Sequence, residues 1–231
     1  MFYKNNISIF CLFVCLILRG GNGTAQGILP VKEFKKDSLE KVQFAPFFNK
    51  SIPEKYAIPI KTALQYYPSL RDARIIFRVK KTRTPLAAMP TIGSVFKRKS
   101  KRTYIVTISS ESTTFLNKII LDSLNFNAQI GVLGHEISHI MEFHSKSGLF
   151  LIGLAFRHLS QKEMDKFEYN TDKRCIEQGL GYQLLAWSKN TREALQVEHF
   201  NRENSDKMMQ RERYMNPNTI ERFMKTMSIY E

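Results

Sequence analysis

Cysteine is scarce in this chain of 231 residues: there are three, and two of them, Cys11 and Cys15, lie near the N-terminus. Only Cys175 remains for the rest, so no intramolecular disulfide can staple the fold. Placed inside an amphipathic helical pattern, Cys175 reads as a small buried apolar residue. Acidic residues are also few, 21 Asp and Glu against 35 Lys and Arg, for a formal net charge of +14. Such an imbalance favours anionic partners: an acidic membrane surface, envelope material or acidic substrate segments. Missing too is any apolar run of the roughly 20 residues that span a bilayer.

The longest apolar run, Ile7 to Leu18, follows Lys4 and ends at Arg19-Gly20-Gly21, with small residues at Gly23-Thr24-Ala25. This is the pattern of a cleaved signal peptide over residues 1–25. It predicts an exported chain, periplasmic or secreted, with an uncleaved N-terminal anchor as the alternative. Nucleic acid is then not an expected partner. Neither cysteine in the segment is followed by a lipoprotein signal.

The full chain has an ordinary folded composition, 43% hydrophobic and 24% charged, and length enough to bury a core without staples. Residues 26–70, with Pro30, Pro46, Pro53 and Pro59, read as a lead-in segment carrying one helix candidate around Glu54 to Tyr67. Residues 71–231 read as one domain. Arg74 to Val79 and Arg102 to Ile108 are short, β-branched strand candidates, and a weaker one lies between Leu86 and Phe96. These predict a small antiparallel sheet. The basic cluster Lys97, Arg98, Lys99, Lys101 and Arg102 reads as a solvated turn between strands.

From about Phe115 the period switches. Phe126, Ile130, Leu133, Ile137 and Ile140 repeat at helical spacing and mark one buried face. Gly148 to Phe156 is apolar but too short to cross a membrane. Ser160-x-x-Glu163 reads as a capping box opening a helix that Gly179 and Gly181 stop. A further helix is expected through Thr191 to Phe200, and a last one from Asn216-Pro217. The expected fold is α+β, mainly helical, with the small sheet preceding the principal helix. Met208, Met209, Met215, Met224 and Met227 are expected to fill the core around the last helices.

Among the five histidines, two stand in His135-Glu136-Ile137-Ser138-His139. On a helix, positions i and i+4 lie one above the other, so both imidazoles can share one cation. Glu136 projects beside them, placed to act as general base toward water. His144, His158 and His199 read as structural or exposed. A catalytic zinc needs a third protein ligand and an open position. A histidine-rich continuation of the motif is excluded, because Glu142 and Ser145 stand where glycine and histidine would be required. The gluzincin arrangement of such sites takes instead a glutamate on a later helix. Glu168 is the first candidate, with Glu163, Asp165 and Glu177 as alternatives. Asp172, one turn beyond Glu168, can accept the far N–H of a ligand histidine and fix its orientation.

Leu121 to Gly134, leading into His135-Glu136-Ile137-Ser138-His139-Ile140, resembles the corresponding stretch of the HtpX and CAAX prenyl endopeptidase family. Phe167-Glu168-Tyr169-Asn170-Thr171-Asp172 looks like that family's third-ligand motif, and Asn216 to Phe223 is similar to a late motif of histidine, proline and an arginine-bearing helix. Thr171 stands where alanine is usual, Asn216 where histidine is common, and the membrane-spanning hairpins of several members are missing. The resemblance implies a small exported zincin-like peptidase holding one Zn2+ through His135, His139 and Glu168, with Glu136 as base and Asp172 behind His135. Arg222 is carried over as functional or as a structural salt-bridge residue. An unfolded protein or peptide is the expected substrate, held by edge pairing on the strand Tyr104 to Ile108. The competing expectation is an exported envelope-binding or scaffold protein that keeps the zinc structurally, without turnover.

Overall fold

A computed structural model describes residues 28–44, 46–157, 160–196 and 212–231. The expected export segment, His158, His199, Met208 and Met209 lie outside the described residues. In chain order the elements are α1 (Lys36–Glu40), β1 (Lys50–Ser51), α2 (Ala57–Gln65), β2 (Arg74–Lys80), β3 (Leu86–Pro90), β4 (Thr103–Ser109), α3 (Phe126–Ser145), α4 (Gly148–Arg157), α5 (Gln161–Cys175), a π-helical turn at Ile176–Leu180, α6 (Gly181–Ala194) and α7 (Pro217–Lys225). The fold is α+β and mainly helical, with a four-stranded sheet ahead of the principal helix. No helix among the described residues is long and apolar enough to cross a membrane.

The sheet is mixed, not antiparallel as expected. Its order is β1-β2-β4-β3, with β1 and β4 parallel to β2 and only β3 antiparallel to β4. Strand propensity marks where strands are but not which are neighbours; here β4 inserts between two strands that are consecutive in the chain. The register Ile75↔Tyr104, Phe77↔Val106 and Leu86↔Ile108 lines one face with buried side chains, because alternate residues of a strand share a face. Since β4 is paired on both sides, it has no edge to offer a peptide. The outer edges belong to β1, only two residues long, and to β3, whose edge is the longer.

That buried face packs with α2 and α3. Asn125 caps α3, its side chain accepting from the Ala128 N–H. Ile130, Leu133, Ile137 and Ile140 are completely buried, each contributing about 1.5–3 kcal/mol relative to exposure. The burial goes beyond the single expected face, because α2, the sheet, α5 and α6 surround the helix. Two glycines permit this. A Cβ on Gly131 would lie 2.1 Å from the Gln183 carbonyl oxygen, so α3 and α6 meet backbone to backbone. Gly179, at φ 98°, breaks the helix between α5 and α6 in a conformation side chains disfavour.

Gly179 thus acts as the expected stop, but Gly181 starts α6, which occupies the stretch before the expected Thr191 helix and ends at Ala194. Ser160 precedes α5 without a side-chain cap, whereas Asn216 accepts from the Thr219 N–H as expected. Cys175 and Met215 are buried. Arg102 departs from the solvated-turn expectation. It is 3% exposed, and its guanidinium donates to the carbonyls of Lys97, Phe143 and Lys146. The rest of that cluster, Lys97 to Lys101, is exposed.

Candidate metal centre

His135 and His139 project from the middle of α3 toward α5, which carries Glu168, Thr171 and Asp172 on the facing side. Nδ1 of His135 lies 2.7 Å from Asp172 Oδ1, and the other carboxylate oxygen accepts from the Met215 N–H at 2.7 Å. Nδ1 of His139 lies 3.2 Å from Thr171 Oγ1. That hydroxyl donates to the Phe167 carbonyl at 2.9 Å, which leaves its lone pair to accept from the imidazole. Each ring is therefore held with its proton on Nδ1 and its Nε2 lone pair free.

Those lone pairs converge. His135 Nε2 and His139 Nε2 are 3.1 Å apart, and Glu168 Oε2 lies 3.1 Å from the first and 3.2 Å from the second. Three acceptors this close repel one another unless a positive charge lies among them. A tetrahedral cation with bonds of about 2.0–2.1 Å, as zinc makes, sets its ligand atoms about 3.3 Å apart. The triangle fits within a few tenths of an ångström. His135, His139 and Glu168 are also the one group of metal-ligating side chains found among the described residues.

Without a cation the site retains a proton. Burial lowers the pKa of His135, but the hydrogen bonds of Asp172 and Glu168 outweigh it and bring it to about 10. His139 is pulled down to about 4, first by burial and also by its charged neighbour ring. For Glu168 burial acts upward, yet the two imidazoles hold its pKa well below the carboxylate range. Burial raises Asp172, opposed by His135 and the Met215 N–H.

Glu136 is 7% exposed and one of its oxygens is without a hydrogen-bond partner among the described residues. Burial lifts its pKa to about 7, against the pull of His135 and of the Ala88 backbone N–H. That N–H identifies the rim of the site. Thr91 N–H bonds to the Thr103 carbonyl and Ser109 N–H to the Pro85 carbonyl, so odd-numbered residues of β3 face β4. Ala88 faces the free edge, and the free edge faces Glu136. A buried but unsatisfied carboxylate beside a cation site is suited to exchange protons with water.

Aromatic rings wall the rest. Phe167 and Phe143 stack on His139 at 5.0 and 6.0 Å, and Trp187 and Tyr214 lie 5.3 and 5.6 Å from His135. Tyr214 is 42% exposed as a whole residue, yet the packing around its hydroxyl and the charges of Glu168, Glu136 and Asp172 raise the pKa of that group and keep it protonated. Glu142, one turn past His139, pairs with Arg174 at 2.7 Å and ties α3 to α5.

The structure brings His135, Glu136, His139, Glu168 and Asp172 together. The other ligand candidates are engaged elsewhere or lie outside: Asp165 pairs with Arg213 and Glu177 with Lys173, and Glu163 is not in the cluster. His144 faces the Tyr104 hydroxyl at 3.2 Å, a structural contact. Arg222 lies on α7, where the Tyr169 hydroxyl feels its charge, outside the ligand group. Sequence reasoning missed Thr171 and Tyr214. Thr171 was legible, since it lies three positions after Glu168 on the same helical face; for Tyr214 no local signal existed. No protein-family model matches the chain, and neither a curated protein nor a solved structure matches it.

Proposed function

We propose that the chain is a zinc-dependent endopeptidase, similar in its site to the HtpX and CAAX prenyl endopeptidase family, acting on extended or unfolded polypeptide outside the cytoplasm. The observation that carries the reading is the convergence of two Nε2 lone pairs and one carboxylate oxygen beside a buried, unsatisfied Glu136. The mixed nitrogen and oxygen ligand set favours zinc. Three protein ligands, with no fourth metal-ligating side chain in the group, suit a catalytic site better than a closed structural one.

A zinc ion held there supplies Lewis acidity toward water and toward a peptide carbonyl. Glu136, with a pKa near 7, takes a proton from the attacking water and delivers it to the leaving amine. Asp172 and Thr171 keep both rings in the required tautomer. The Tyr214 phenol donates to the oxygen on which negative charge develops. An extended substrate pairs with the free edge of β3 through Leu86 and Ala88, replacing the β4 edge that the topology closes.

Metal content and cleavage of a casein-like unfolded substrate test the reading together. Wild type is expected to hold one zinc and to cleave; Glu136→Gln keeps the zinc and loses cleavage; Glu168→Ala loses the zinc. A wild-type protein that binds zinc and is as inert as Glu136→Gln across varied substrates would make the site structural.

A further inference from the structure

Away from the metal ligands, two connections are locked into one platform. The β3–β4 connection, residues 91–102, and the turn after α3 are joined by Arg102, whose Nη1 donates to Phe143 O and Lys146 O at 3.1 and 2.7 Å. Lys99 Nζ adds a bond to Ser145 O at 2.5 Å. A Cβ on Gly148 would lie 2.4 Å from the Val95 carbonyl oxygen, so the two segments touch along their backbones. From this platform three large apolar side chains stand out into solvent: Ile92 at 89% exposure, Phe96 at 79% and Leu149 at 83%.

Their setting is one-signed. Lys97, Arg98, Lys99, Lys101 and Lys146 are exposed around them. No acidic residue occurs between Asp72 and Glu111, and none between Glu142 and Glu163. The helix that continues from Leu149 has no polar residue from Gly148 to Phe156. A helix apolar on all sides needs cover on all sides, yet its first turn is open at Leu149. At 10 residues α4 is too short to cross a bilayer.

We propose that this face seats on an anionic lipid surface, with Ile92, Phe96 and Leu149 entering the acyl boundary and the surrounding lysines and arginine meeting lipid headgroups. Apolar tips ringed by basic residues are the composition that holds proteins in the interfacial layer. A second copy of the chain fits poorly, since two-fold pairing would set one basic ring against another.

The test uses the chain with Phe96→Trp and vesicles of zwitterionic lipid alone or mixed with an anionic phospholipid, their acyl chains brominated. The chain's single tryptophan, Trp187, gives the background in wild type. Added emission from position 96 is expected to be quenched by the anionic vesicles, and apparent affinity to fall at least about tenfold in Lys97→Glu/Lys99→Glu/Lys101→Glu. This local readout is independent of any contact made by the N-terminal segment. Unquenched emission at position 96, or quenching indifferent to those charges, overturns the proposal. So does light scattering that shows a dimer dissociated by Ile92→Ser/Phe96→Ser/Leu149→Ser while position 96 stays unquenched, which would make the face a self-association surface.

Discussion

Gly131→Ala sets local propensity against packing. In a helix interior the change is favourable by about 1 kcal/mol, and Gly131 lies well inside α3. The added carbon, however, would sit 2.1 Å from Gln183 O, 2.5 Å from Gln183 C and 2.9 Å from Leu184 N. All three are backbone atoms of α6, so no side-chain rotation relieves them. Ordinary contact begins at 3.4 Å, which requires α6 to withdraw by about 1.3 Å. Leu184, completely packed, and Trp187, whose ring lies against His135, would withdraw with it. Overpacking of this kind costs about 1–3 kcal/mol, and a clash with backbone alone belongs at the upper end, so after the propensity gain of about 1 kcal/mol the net change should be destabilising by about 2 kcal/mol. Urea unfolding, with metal chelated so that ligand binding does not mask the effect, reads it as a lower midpoint at unchanged slope. Gly153→Ala is the control: among the described residues nothing lies within 4 Å of its added carbon, so propensity acts alone and stability should hold or rise by up to about 1 kcal/mol. A Gly131→Ala protein as stable as wild type would refute the backbone contact between α3 and α6.

Tyr214→Phe should lower kcat by about a hundredfold, the usual loss for one donor to a developing oxyanion, with KM and zinc content little changed; a change in KM alone would assign the ring to binding. Because His135 holds its proton up to a pKa of about 10 in the metal-free site, zinc uptake at pH 8 should expel about one proton. At pH 6 the number should rise, since Glu136, at about 7, is then also protonated and a neighbouring cation favours its ionised form. Calorimetry in buffers of different ionisation enthalpy counts these protons, and zero release would remove the shared proton from the account. Ala88→Pro deletes the N–H that holds the Glu136 pKa down while leaving the β4 ladder intact; the acid limb of the kcat profile should move to higher pH with zinc retained, and an unmoved limb would rule out that contact.

Much of the candidate metal centre was legible because helices repeat regularly. The spacing of His135 to His139, and of Glu168 to Asp172, places each pair on one face before any tertiary contact is considered. What spacing cannot supply is contact between segments distant in sequence. Strand neighbours follow from chain crossover, so β4 could be recognised as a strand but not as an interior one. Arg102 looked solvated because its partners are carbonyls, which leave no trace in side-chain composition. Tyr214 reaches His135 only because the turn that carries it is tied to α5 through Arg213–Asp165 and Met215–Asp172, while α7 beyond it packs on α6. Thr171 is the instructive case: a residue with no ligand character of its own supplies the hydroxyl that orients His139.

Asp172 joins two segments through one carboxylate. One oxygen holds the imidazole of His135 and the other the amide at the head of the C-terminal helix. Loosening that tail must change the basicity and aim of the ring, and filling the ion site must, by the same coupling free energy, tighten the tail. The far end of the chain is therefore a reporter of occupancy. Slower amide exchange in α7 on metal addition would register the event without any substrate being turned over.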